Sequence, residues 1–279
     1  MQGKTVVITG ATSGIGEVAA VELAKGGARI VFVARNPLRR DETMARLVVA
    51  NGAVKHTAHL GDLSLLSDMK RVAGEIAAAE PKIDVLLNNA GALFNTRETT
   101  ADGLEMTFAL NHMSYFVVTN VLLGTLKAGA RIVSTSSDAH RRAKLDLDDL
   151  QSAKKFSGFD VYSKSKLCNI LFTRELARRI AGTGVTANCL HPGFVATRFG
   201  DNNEGVMRFG IGVAKKVGAI APEDGAKTIV YLASSPDVAG KSGDYYYKCA
   251  VAVPTKEAQN DDDAKRLWDV SAKIANLGA

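Results

Sequence analysis

Thr9-Gly10-Ala11-Thr12-Ser13-Gly14-Ile15-Gly16 follows directly on the apolar run Val6-Val7-Ile8, and the reading of this stretch decides the fold. A strand that ends in a glycine-rich turn and enters a helix gathers free backbone N–H groups at a helix N-terminus, where the macrodipole also favours an anion. The result is a cradle for phosphate. Within it Gly10 can take a backbone conformation closed to other residues, Gly14 lets the chain approach a pyrophosphate, and Gly16 removes a side chain where helix must lie close on strand. Thr12, Ser13 and Ile15 complete the expected contacts. Glycines at this spacing also suit a loop that merely needs flexibility, so the context matters. Residues 16–25 read as a helix with Val18, Val21 and Leu23 among small residues, Gly26-Gly27 ends it, and residues 29–34 read as a buried strand. Together these elements make a βαβ unit that begins at residue 4.

The chain has 279 residues, a length that suits one α/β domain spanning 1–279, and its 46% hydrophobic content is enough for a large core. The formal charge of +6 is spread over doublets such as Arg39-Arg40, Arg141-Arg142 and Lys215-Lys216 with acids nearby. No contiguous basic stripe forms, so a nucleic-acid partner is not expected, and a polyanionic small cofactor accounts for some of the positive charge. Cys168, Cys189 and Cys249 are odd in number and distant in sequence, which argues against a disulfide framework and a zinc cluster. No segment approaches the roughly 20 apolar residues of a membrane span. The N-terminus enters a strand within a few residues, and a cytoplasmic location is expected.

Further along, Arg35 and Asn36 follow the second strand where a dinucleotide site chooses between cofactors. An acid there would bind the ribose hydroxyls, whereas Arg35 faces the additional phosphate of NADP, unless it is a solvated surface arginine. NADP(H) is therefore the preferred cofactor, with NAD(H) as the alternative. Residues 38–51 read as a helix, residues 54–60 as a strand, and Asp62-Leu63 as a contact to adenine, with Ser64 capping a helix at 65–79. His56 and His59, at odd spacing on a strand, point to opposite faces and make no metal pair. After a fourth strand at 83–87 comes Asn88-Asn89-Ala90-Gly91, a turn whose Asn89, Ala90 and Gly91 can approach a cofactor or tie strands together. Residues 102–127 form a long helical stretch in which Asn111, a poor helix former, calls for a reason. A fifth strand, 130–134, ends in Thr135-Ser136-Ser137 at the sheet edge where ligands sit. Tyr162 and Lys166, four apart, share a helix face. Of the six tyrosines only Tyr162 has a lysine four residues later.

These motifs, in this order, resemble the short-chain dehydrogenase/reductase family over nearly the whole chain. The resemblance rests on Thr9 to Gly16, Asp62-Leu63, Asn88 to Gly91, Asn111, Ser137, Tyr162 with Lys166, and Pro192-Gly193 leading to Thr197. Residues 34–36, Asn111-His112, residues 136–140, His191-Pro192-Gly193 and residues 265–268 look like the retinol dehydrogenase and WW-domain oxidoreductase branch. The resemblance implies a doubly wound Rossmann fold, a central parallel sheet of about seven strands with helices on both faces. It also implies hydride transfer between nicotinamide and the carbon of a carbonyl or alcohol, here a fairly apolar aldehyde, ketone or alcohol. Ser137 is the expected donor to the carbonyl oxygen and Tyr162 the acid. Lys166 favours the phenolate and holds the nicotinamide ribose, and Asn111 carries a water that links Lys166 to solvent. The main chain near Val195 binds the carboxamide, Thr197 contacts the pyrophosphate, and Pro192 with Gly193 fixes that turn.

Residues 198–218 read as a substrate lid or as an ordinary surface helix. The tyrosines at 245–247 are expected to alternate between core and surface in the last strand, 243–250. Assembly as a homodimer or homotetramer is allowed by the resemblance. Two other functions fit part of the pattern. A non-catalytic NADP(H) sensor or scaffold would usually lack part of the Ser, Tyr, Lys set, and a nucleotide-sugar epimerase would need more sequence beyond the core.

Overall fold

A computed structural model of the chain describes residues 1–194 and 220–278. Val195, Thr197 and the expected lid at 198–218 lie outside the described residues. The strands are β1 (Thr5–Thr9), β2 (Arg29–Ala34), β3 (Thr57–Leu60), β4 (Ile83–Asn88), β5 (Leu126–Thr135), β6 (Thr186–Leu190), β7 (Tyr245–Tyr247) and β8 (Ala250–Val251), of which β1, β2, β4 and β5 are built on runs of valine, isoleucine and leucine. They form one sheet in the order β3-β2-β1-β4-β5-β6-β7-β8. The first seven are parallel, and β8 turns back antiparallel on β7. Val6, Val7 and Ile8 are fully buried, as a parallel strand covered on both faces requires.

The flanking helices are α1 (Gly14–Lys25), α2 (Pro37–Asn51), α3 (Leu66–Ala79), α4 (Met106–Phe108), α5 (Ser114–Leu122), α6 (Gly158–Arg179), α7 (Pro222–Ser234) and α8 (Asp261–Ala275). One face of the sheet packs on Ala19, Leu23, Leu47 and Ile229 from α1, α2 and α7. The other packs on Met69, Phe116, Phe172 and Trp268 from α3, α5, α6 and α8. Strand order reverses between β1 and β4, and the crevice at such a reversal, outside the carboxyl ends of the strands, is where doubly wound sheets place ligands.

Four local readings differ. The expected last strand splits into the β7–β8 hairpin because Lys248 and Cys249 take φ of 48° and 61°. Two successive left-handed residues make the tight turn whose twist suits a hairpin, at a backbone cost for residues other than Asn or Gly. The stretch 102–127 is interrupted: α4 runs into a π-helical turn at Ala109–Met113 before α5 resumes, and β5 begins at Leu126. Ser64 does not cap α3. Its N–H and hydroxyl both donate to Asp62 Oδ1, while the N–H of Leu66 is taken by Asp102 Oδ2 at 2.8 Å, a carboxylate from 36 residues away. Finally, Tyr245 and Tyr246 are both buried, so the three tyrosines do not simply alternate.

The histidines of β3 and its approach are drawn apart as expected. His56 Nδ1 accepts the N–H of Ile30 at 3.1 Å, and His59 faces Glu75. All three cysteines are free, and burial pushes the Cys168 and Cys189 thiols up to about 12.

Candidate active site

The crevice at the carboxyl ends of β1, β4, β5 and β6 is a cavity of about 870 Å³. Ser13, Gly14 and Ile15 line one end of it. Ser13 precedes α1 in an extended conformation and its side chain does not cap the helix, which leaves the N–H groups of the first turn to an external acceptor. An uncapped helix start on a cavity wall fits the pyrophosphate of a dinucleotide. The glycines around it divide their work. Gly10, at φ 72°, lies so close to β4 that a Cβ would stand 2.8 Å from Ala90 Cα. At Gly16 a Cβ would stand 2.2 Å from the Gly10 carbonyl oxygen, so Gly16 serves helix-on-strand packing and is buried away from the cavity. Gly14 has φ 58°, and Thr12 is half-buried off the cavity wall.

Thr9 and Asn89 hold the strand ends in place. Thr9 Oγ1 accepts the N–H groups of Asn89 at 3.0 Å and Ala90 at 3.1 Å. Asn89 Nδ2 donates to the Gly10 carbonyl at 3.2 Å while its Oδ1 accepts from Thr135 Oγ1 at 3.2 Å. One carboxamide therefore joins the ends of β1, β4 and β5, the strand-tying role open to this turn in the sequence. Gly91 has a different reason to lack a side chain: a Cβ there would come within 3.2 Å of Asn111 Oδ1 and 3.3 Å of Lys166 Nζ.

Asn111 sits in the π-helical turn, which explains an asparagine in mid-helix. Its Oδ1 accepts the Ala92 N–H at 2.9 Å, and its Nδ2 donates to the Ala92 carbonyl at 2.9 Å and to Ser165 Oγ at 3.0 Å. The carboxamide thus fastens the 91–92 turn against α6.

Ser137, Tyr162 and Lys166 converge on the cavity wall. The Ser137 hydroxyl lies near enough to Tyr162 to favour its phenolate, and Ser137 Oγ accepts the Ala139 N–H at 3.2 Å. Lys166 Nζ donates to the Thr135 carbonyl at 3.1 Å and lies 5.6 Å from the centre of the Tyr162 ring. Ser136 Oγ fastens the backbone of the same residue, donating to the Lys166 carbonyl at 2.7 Å. Asn169 Nδ2 and the Tyr115 hydroxyl also donate to the Thr135 carbonyl, making it a three-donor anchor.

Burial dominates the electrostatics of this cluster. It pushes the Tyr162 phenol up to about 12, against a smaller lowering by the Ser137 hydroxyl, and pushes Lys166 down to about 7. Desolvation rather than the charge of Lys166 sets the phenol's value here, and Lys166 is itself readily deprotonated. A phenol that keeps its proton beside a hydroxyl, both facing a cavity, can donate to an oxygen that gains negative charge.

At the other strand ends, Arg35 is 73% exposed on its side chain and lies 3.8 Å from Asp62. Asn36 caps α2, accepting the Arg39 N–H on Oδ1 at 3.1 Å, and Leu63 is buried in the core. These four residues stand off the wall of the large cavity.

Pro192, Gly193 and Phe194 line the cavity beyond β6. His191 stacks on Tyr247 with ring centres 4.0 Å apart, and burial lowers its pKa to about 4, so it is a neutral packing group. Sequence reasoning passed over several residues here. His140 Nδ1 donates to the Ser137 carbonyl at 2.7 Å and its Nε2 accepts the Thr255 N–H at 3.3 Å, so a buried imidazole holds the serine loop against the C-terminal segment. Tyr247, Phe159, Arg141 and Arg142 line the wall as well. Only Phe159 carried a signal, one helical turn before Tyr162.

Comparison with known proteins agrees with this geometry. Residues 4–205 match the family model of the short chain dehydrogenases. Retinol dehydrogenase 14 of Homo sapiens is 38% identical over 301 residues, a match that covers 99% of this chain and 88% of the relative. Human retinol dehydrogenase 13 is 38% identical, with 99% and 86% covered. A solved structure of a protein from Mycobacterium paratuberculosis superposes with a TM-score of 0.79 at 29% identity, covering 99% of this chain and 94% of that one. A short chain dehydrogenase from Burkholderia cenocepacia, solved in complex with NADP, shares the fold with a TM-score of 0.69 at 24% identity, covering 88% and 95%.

Proposed function

Since the chain belongs to the short-chain dehydrogenase family, in its retinol dehydrogenase branch, and is an oxidoreductase of that family, we propose that it interconverts a fairly apolar aldehyde or ketone and the matching alcohol with NADP(H). The observation that carries this reading is the convergence of Ser137, Tyr162 and Lys166 on one cavity wall, with Lys166 Nζ 5.6 Å from the centre of the phenol ring. Ser13 to Ile15 would hold the dinucleotide's pyrophosphate and Arg35 the additional phosphate of its adenosine half, and the bound group would supply or accept the hydride.

The chain handles the proton and the charge. As a carbonyl is reduced its oxygen gains negative charge, and the Ser137 hydroxyl and the Tyr162 phenol are the donors that meet it. Tyr162, pushed up to about 12, holds its proton through neutral pH and gives it to the alkoxide, which is the stronger base. In the oxidative direction the same group must first lose that proton, so alcohol oxidation gains from rising pH whereas reduction does not. Lys166, when charged, stabilises the phenolate of that direction. Arg35 supports NADP(H) because an exposed guanidinium with one distant carboxylate partner is free to take a phosphate. The apolar rim of Phe159 and Phe194, and the names of the similar retinol dehydrogenases, support an apolar substrate.

The test is absorbance at the nicotinamide band with NADPH and then NADH against a panel of carbonyls running from small aromatics to retinal. Carbonyl-dependent loss of NADPH that disappears in Tyr162→Phe is the expected result. NADPH binding without turnover of any carbonyl or alcohol would overturn the reading.

A further inference from the structure

We propose that the part of the cavity wall beside Tyr162 formed by Arg142 and Phe159 is an anion subsite, with Arg142 as its charged group and Phe159 as its apolar floor. The substrate is then an aromatic or similarly flat carbonyl compound, or its alcohol, that carries a carboxylate. This rests on the reading of the site as a carbonyl and alcohol oxidoreductase.

Arg142 and Phe159 both line the cavity that holds Ser137 and Tyr162. The Arg142 guanidinium stands 5.8 Å from the centre of the Phe159 ring, and that ring is 6.4 Å from the ring of Tyr162. These two steps limit the distance from guanidinium to catalytic ring to about 12 Å, within the reach of one small molecule. The neighbouring charges are already matched. Arg141 donates to Asp138 Oδ1 at 2.7 Å and to the Val253 carbonyl at 2.9 Å, so Asp138, the one acid among the described residues of the wall, is neutralised by its own arginine. Arg142 makes no ion pair among the described residues, and its one recorded contact is the face of Phe159.

A planar guanidinium steadied on a ring presents a fork that fits a carboxylate through two hydrogen bonds. The phosphate end of the cavity, in contrast, is built from main chain at Ser13 to Ile15 and has no need of this arginine. Phe159 and Phe194, 37% and 50% exposed, leave apolar surface for the body of such a molecule.

The experiment compares formyl-substituted phenylalkanoates of increasing chain length with their primary amides, in the wild type, Arg142→Gln and Arg142→Lys. Calorimetry in parallel measures binding of phenylpropanoate and phenylpropanamide, which are not reduced. The acid-to-amide ratio, taken within each variant, is independent of any loss of folded protein. It should be about tenfold or more in the wild type, for kcat/KM and for affinity, fall to about one in Arg142→Gln, and be kept in part by Arg142→Lys. Equal acid and amide in the wild type, or a ratio that survives Arg142→Gln, overturns the proposal. If no carbonyl is turned over the oxidoreductase reading fails, and the calorimetric ratio still decides the subsite.

Discussion

Asn111 and His112 are neighbours in one π-helical turn, yet they turn to different surroundings. Asn111 reaches the cavity side and fastens the Ala92 turn to α6. His112 reaches into an aromatic cluster, where Phe108, Phe116 and Phe172 surround its ring, Ser271 of α8 lies 2.9 Å from Nε2, and Trp268 stacks on Phe172. Both regions bury titratable groups whose pKa values are driven by desolvation. On the cavity side Tyr162 is pushed up to about 12 and Lys166 down to about 7; in the aromatic cluster His112 is pushed down to about 3. His112 is displaced as far from its ordinary value as Lys166, yet it lines no described cavity. A displaced pKa therefore marks burial first, and marks chemistry only where the group meets a cavity and a second polar group aimed into it.

That contrast can be broken at either end. Tyr162→Phe removes the proton donor alone and should lower turnover by on the order of 10³ to 10⁴, with the NADPH dissociation constant within about twofold. Turnover that survives would place Tyr162 with His112, as a buried group without chemistry. In the aromatic cluster, Trp268→Ala should cost about 3 kcal/mol in denaturant unfolding while leaving kcat per folded molecule near wild type. A large loss of kcat would show that the aromatic cluster and the cavity are coupled through the shared turn.

The pH dependence sharpens the comparison. The folded pKa of His112 lies below its unfolded value, so the unfolded chain binds more protons below about pH 6.5, and the stability present above that pH is lost as it falls toward 3. By about pH 5 the wild type should have lost about 2 kcal/mol more than His112→Gln, measured by unfolding at each pH. Parallel curves for the two proteins would mean that His112 meets water. The smallest expected effect is at the adenosine end. Arg35→Asp should weaken NADPH about tenfold and NADH far less in a binding titration. Equal losses would return Arg35 to the solvated surface.

How much of this was legible in the chain follows from sequence distance. The βαβ unit, the carboxyl-edge position of Ser137 and the Tyr162–Lys166 pair were readable because periodicity and spacing are local. The Thr135 carbonyl anchor, the space that Gly91 leaves for Asn111 and Lys166, and the Asp102 cap on α3 join residues far apart and leave no local pattern. On the same cavity wall Arg142 left no local pattern either, whereas Phe159 stood one helical turn before Tyr162. Asn36 shows the converse, for it stands where the motif puts it but its side-chain oxygen is spent on helix capping, whereas Gly16 does the packing that its place in the motif called for.

The Thr135 carbonyl also constrains how the molecule can vary. It is a main-chain oxygen that holds Lys166, Asn169 and Tyr115 at once, and every amino acid at position 135 would supply it. Point mutation cannot delete that anchor, whereas Arg142, Phe159 and Tyr247 on the cavity wall can each be exchanged by a single codon. The reacting group is thus buffered against genetic change, and the repertoire of molecules accepted is free to drift at those wall positions without disturbing it.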